Sequence, residues 1–140
     1  MNQHFHIITL GVRDFKVSYE FYTTKLGWKP SGSQDDIAFF QAGGAALAIY
    51  PREKLAEDAL TSSEGNGFSG FTLAYNAQSE SEVDEIISDL KSKGVKILKE
   101  PQKVFWGGYS SYFADPDDFR WEVAYNPFFA FDENGNLALS

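Results

Sequence analysis

The sequence predicts an α+β fold built from two copies of one βαβββ module. Three observations carry this. The order strand, helix, strand, strand, strand can be read twice along the 140 residues. Short matches recur at growing offsets, as loop insertions produce: Thr9-Leu10 with Thr72-Leu73 at 63, Gly27 with Gly94 at 67, and Leu47-Ala48-Ile49-Tyr50 with Glu122-Val123-Ala124-Tyr125 at 75. The one linker-like stretch, TSSEGNG over 61–67, falls between the copies. The expected organisation is a first module over 1–60, the linker, a second module over 68–127 and a tail over 128–140, one structural domain in all.

In the first copy, Phe5 to Val12 (FHIITLGV) is short and β-branched, a strand. Asp14 stands where a helix N-cap belongs. Phe15, Ser18, Tyr19, Tyr22 and Leu26 then follow at helical spacing, and Gly27 stops the helix. Residues 28–33 make a strand end and turn. Ile37 to Gln41 and Ala45 to Tyr50 are strands around Gly43-Gly44, a hairpin signal. A short helix fits 51–60, with Pro51 near its start.

In the second copy, Phe68 to Tyr75 is the opening strand. Ser79 and Glu82 have capping-box spacing. Val83, Ile86, Ile87 and Leu90 form the apolar stripe of a helix closed by Gly94. Val95 to Lys99 is a short strand and Val104 to Phe113 a longer one, weakened by Gly107-Gly108. Asp115-Pro116-Asp117-Asp118 is a turn, and Phe119 to Tyr125 the last strand. The tail carries Phe128, Phe129 and Phe131, which calls for packing.

Composition narrows the function. There is no Cys, which excludes disulfides, thiolate catalysis and Cys-based metal centres. Twelve Lys and Arg face twenty Asp and Glu, a net charge of −8 without a basic cluster, so nucleic acid is not an expected partner. No apolar run reaches the roughly 18 residues of a membrane span, and Met1-Asn2-Gln3-His4 is no signal peptide, so a cytoplasmic location is expected. Twenty-three aromatic residues call for a large core, a ring-lined cavity, or both. Phosphate-binding glycine loops and a G-x-S-x-G elbow are absent.

Two motifs narrow the fold further. Val12-Arg13-Asp14, Ser18, Phe21-Tyr22 and Leu26-Gly27-Trp28 make an opening of the form V-x-D…S…F-Y…L-G-aromatic. Phe113-Ala114-Asp115-Pro116-Asp117-Asp118 followed by Trp121-Glu122-Val123 makes a closing F-x-D-P-D-G-x-x-x-E-apolar, with Asp118 in the glycine's place. Together, over residues 5 to 127, they resemble the glyoxalase/bleomycin-resistance/extradiol-dioxygenase (vicinal oxygen chelate) superfamily. The resemblance implies that the two modules form a curved eight-stranded half-barrel around a cavity, with helices on the outer face. It also implies a divalent metal held by one ligand from each of four strands.

The positions that the resemblance implies for those ligands are Ile7, Leu47, Gly70 and Glu122. His6 is one residue off the first of them, and strand alternation turns it toward the helix side or the edge. Only Glu122 keeps a donor, and one carboxylate is short of the about three protein ligands of a catalytic metal. No cofactor is expected.

Alternation also gives a cavity lining: Thr9 from the first strand, Leu47 and Ile49 from the fourth, Thr72 from the fifth, Arg120 and Glu122 from the eighth, with Trp106 and Tyr109 as ring walls. Such a lining suits a small-molecule binding protein of the glyoxalase/bleomycin-resistance fold. The alternative is a metal-free lyase or isomerase with Glu122 as general base. The expected partners are a small molecule and, from the resemblance, a second copy of the chain in a homodimer.

Overall fold

A computed structural model describes residues 1–139. The chain divides into two compact units, Met1–Gly67 and a second beginning at Phe68.

The first unit opens with β1 (Ile7–Val12). Asp14 caps α1 (Phe15–Glu20), its carboxylate accepting from Val17 N at 3.1 Å. The helix ends in a π-helical turn, Phe21–Lys25. That wider turn sets the adjacent Phe21 and Tyr22 closer together in angle than an α-helix would, and both are buried. β2 (Gly32–Gln34), β3 (Ile37–Ala42) and β4 (Ala45–Pro51) follow, the last two joined at Gly43-Gly44, and Pro51 precedes α2 (Arg52–Asp58). The strand order is β1-β4-β3-β2, with β1 parallel to β4.

The second unit repeats this plan. β5 (Leu73–Ala77), α3 (Glu80–Ser92), β6 (Lys96–Lys103), β7 (Tyr109–Ala114) and β8 (Arg120–Tyr125) give the order β5-β8-β7-β6, with β5 parallel to β8. A small hairpin, β9 (Ala130–Phe131) with β10 (Leu137–Ala138), lies in the tail. The α+β duplication is thus present as two four-stranded sheets of identical strand order.

Ser79 caps α3 through Glu82 N at 3.1 Å. The Glu82 carboxylate reaches back to Gln78 N at 2.7 Å and the Tyr75 hydroxyl at 2.8 Å, closing the helix start onto β5. The stripe Val83, Ile87 and Leu90 is fully buried, at about 1.5–3 kcal/mol for each such side chain.

Boundaries differ from the sequence reading in the second copy. β5 begins at Leu73, not Phe68, because Gly65, Gly67 and Gly70 all have positive φ and hold the chain out of an extended ladder. β6 runs on to Lys103, past Pro101, which an edge strand accommodates. Val104–Gly108 is a turn, not strand: Val104 N donates to Gly108 O at 3.1 Å and Gly107 N to Val104 O at 3.0 Å. The closing-motif turn forms as expected. Asp115 is buried and accepts from Asp117 N and Phe119 N at 2.9 and 2.8 Å, while Asp118 takes the positive φ of 64° that a glycine would take freely.

Candidate functional site

Each sheet has one face under helix and one face away from it. In the first unit, Phe40 packs against Tyr22 and Trp28, at ring distances of 5.7 and 6.0 Å, so Phe40 lies on the α1 side. Leu47 is paired with Phe40, and Ile49 with Ala38 and Leu10; all are buried together there. The opposite face carries Ile7, Thr9, Ala46 and Ala48. Leu47 and Ile49 are therefore core residues, a correction to the expected lining. The expected phase failed because Ala45 to Ile49 is apolar throughout and offers no alternation to read. Thr9 is on the predicted face and half-buried.

In the second unit, the Tyr109 hydroxyl donates to Asp84 of α3 at 2.8 Å, which fixes Tyr109, Ser111 and Phe113 on the helix side. Tyr109 is thus no wall of the open face, a second correction. Trp106 sits in the 104–108 turn, its ring laid over Gly108, where any Cβ would collide with it. Gly108 and Gly107 make room for the Trp106 and Phe128 rings.

The face away from α3 carries Glu122, Ala124, Ser110, Tyr112 and Ala74, placed by the pairs Tyr112↔Glu122, Ser110↔Ala124 and Ala74↔Glu122. Lys99 joins them from β6, opposite Tyr112. Ser110 Oγ donates to Glu122 Oε2 at 3.1 Å, and Lys99 Nζ donates to Ser110 Oγ at 3.3 Å while standing 5.6 Å over the Tyr112 ring. The Tyr112 phenol stands near Glu122 and Thr72. Burial raises its pKa first, Glu122 adds to that, and Thr72 works against it.

An ionised carboxylate only accepts hydrogen bonds. The directions are therefore set: Ser110 donates to Glu122, and Lys99 donates to Ser110. One relay ends on the carboxylate. Arg120, expected on this face, turns to Asp118 at 3.5 Å instead of Glu122. Thr72 and Glu122 are the predicted residues that come together. Lys99, Ser110 and Tyr112 were missed, although Ser110 and Tyr112 follow from placing Glu122, as alternate residues of β7 on the same face. Lys99 does not, since the β6–β7 register is irregular on either side of it.

The divalent metal that the resemblance implies does not fit this donor set. Among the described residues no three of His, Cys, Asp and Glu come together to hold a metal ion. The neighbours of Glu122 are hydroxyls and an ammonium group, and a cation beside the carboxylate opposes a dication. In the first unit His6 is exposed, its ring 4.8 Å from that of His4. No helix among the described residues is long and apolar enough to cross a membrane.

Comparison with known proteins agrees with the architecture. The chain is 34% identical over 116 residues to the protein YraH of Bacillus subtilis (strain 168), covering 79% of this chain and 88% of that protein. It is 28% identical over 123 residues to the metallothiol transferase FosB of Staphylococcus saprophyticus subsp. saprophyticus, 88% of this chain and 77% of that protein. Among solved structures, a glyoxalase-related enzyme from Fulvimarina pelagi superposes with a TM-score of 0.89 at 31% identity, covering 99% of both chains. Residues 4–123 match the description of one family from end to end of the duplicated fold, and the chain belongs to the Glyoxalase/Bleomycin resistance protein/Dioxygenase superfamily.

Proposed function

We propose that the protein binds a small molecule, without a metal, on the face of the β5–β8 sheet away from α3. The observation that supports this is the relay from Lys99 through Ser110 to Glu122, with Tyr112 paired across the strands from the carboxylate. A polar group of this kind, with the small exposed Ala74 beside it, orients a ligand by a few directed hydrogen bonds. Held by Ser110, Glu122 accepts a further hydrogen bond from ligand at its remaining lone pairs.

A metal-free isomerase is the second reading. Its support is Tyr112, the cross-strand partner of Glu122, whose raised pKa keeps a proton donor beside the carboxylate, so an acid and a base stand side by side. Crystals of the wild-type protein and of Glu122→Gln soaked with a fragment library test the main reading. Fragments should sit against Glu122 in the wild type and be lost in the variant. Fragments that bind elsewhere, or equally in both proteins, would overturn it. Conversion of a bound fragment to its isomer, seen by proton NMR of the fragment incubated with the protein, would favour the isomerase.

A further inference from the structure

Lys99 differs from the paired lysines of this acidic chain. Lys54, Lys91, Lys93 and Lys103 each meet a carboxylate: Asp36, Glu100, Asp89 and Glu80. Lys99 is half-buried, yet its Nζ rests on the Ser110 hydroxyl and over the Tyr112 ring. Among the described residues no carboxylate lies within salt-bridge distance of it. An ammonium group has three donors, and Ser110 uses one. The direct contacts of this half-buried cation are a neutral hydroxyl and a ring, with the Glu122 carboxylate one hydroxyl further off, which leaves donors free for an anion from solution.

Glu122 offers the opposite chemistry on the other side of Ser110. A single hydroxyl separates the cation from the carboxylate, with legs of 3.3 and 3.1 Å. A ligand that satisfies both must carry an anionic oxygen and a hydrogen-bond donor on adjacent atoms of its skeleton.

We infer that Lys99 and Glu122 together select a small carboxylic acid bearing a hydroxyl or amino group on the carbon next to the carboxylate. The carboxylate pairs with Lys99 and the neighbouring O–H or N–H donates to Glu122. The Tyr112 ring holds the ammonium group in place by cation–π attraction. This rests on the binding reading given above and names its ligand class.

The test uses butyrate, 2-hydroxybutyrate and 2-aminobutyrate, which differ only in the donor at the second carbon. Titrations followed by amide NMR are run on the wild type, Lys99→Met, Lys99→Arg and Glu122→Gln, the spectra also reporting folding. The wild type should bind one or both substituted acids at least 10-fold more tightly than butyrate, with shifts on β6, β7 and β8. The better of the two identifies the donor as hydroxyl or ammonium. Lys99→Met should weaken the preferred acid 10-fold or more, and Lys99→Arg should recover part of the loss. Glu122→Gln should abolish the preference over butyrate. Unchanged affinity in Lys99→Met, no preference in the wild type, or no binding of any of the three would overturn the inference. Fragments found against Glu122 in the soaked crystals would then leave the broader binding reading standing.

Discussion

Ala48 and Glu122 occupy the same place in the two copies of the repeat. Ala48 pairs with Thr9 on one side and Phe39 on the other; Glu122 pairs with Ala74 and Tyr112. Both face away from the helix that covers their sheet. The copies therefore correspond at an offset of 74 in this strand, one less than the shared tyrosines Tyr50 and Tyr125 suggest. The first copy has kept the backbone of that position and carries a methyl where the second carries a carboxylate.

This phase is testable at Leu47. It is 3% exposed and packed on Phe40. Leu47→Ala should cost about 2–5 kcal/mol in chemical denaturation, the range for a buried leucine cut to alanine. A residue lining an open face would cost far less.

Asp118 offers a gain. Its φ of 64° disfavours any residue with a Cβ, and its ion pair with Arg120 at 3.5 Å is exposed and contributes little. Asp118→Gly should stabilise the protein by about 0.5–1 kcal/mol, read as a higher Tm.

The tyrosine hydroxyls give a pH signature. Tyr112 is raised above the usual value of 10.0 by burial and by Glu122. Its folded form therefore holds a proton that the unfolded chain releases. The associated stability is intact below about pH 10 and is lost as pH climbs through the raised folded value. Glu122→Gln removes the negative charge and should move this titration down toward 10. Ultraviolet difference titration, with Tyr112→Phe to separate it from the similarly raised Tyr75 and Tyr109, reads it out.

Gly108 should tolerate no side chain while the Trp106 ring lies over it. Gly108→Ala should expel the ring, shift the Trp106 emission to the red and lower the Tm. In a Trp106→Ala background the same substitution should be nearly neutral, a coupling that a double-mutant cycle measures.

The sequence made the duplication, both helix caps and the closing turn legible because each rests on a local rule. Asp14, Ser79 and Asp115 act on backbone donors two to four residues away. Trp121-Glu122-Val123 alternates, so Glu122 could be placed. Leu47-Ala48-Ile49 does not alternate, and only the non-local cluster of Tyr22, Trp28 and Phe40 decides which of these side chains meets the helix. Val104 and Phe105 look like strand residues, but Gly107, at a φ of 92°, turns the chain there. Lys99 was invisible for another reason: its neighbours are fixed by a register with two irregularities between β6 and β7.

The parallel pairing of β1 with β4 has a kinetic consequence. Ile7 cannot meet Ala46 until the helix, the turns and the hairpin between them have been made or at least spanned, and Leu73 waits in the same way for Trp121. The β3–β4 and β7–β8 hairpins close over short loops and can form early. The opening strand of each copy is the last to dock, and a nascent chain leaves it unpaired until the closing strand has emerged. The exposed Phe5 and Ile7 lie at just this edge, so conditions that stall elongation before Pro51 should favour aggregation through the first strand.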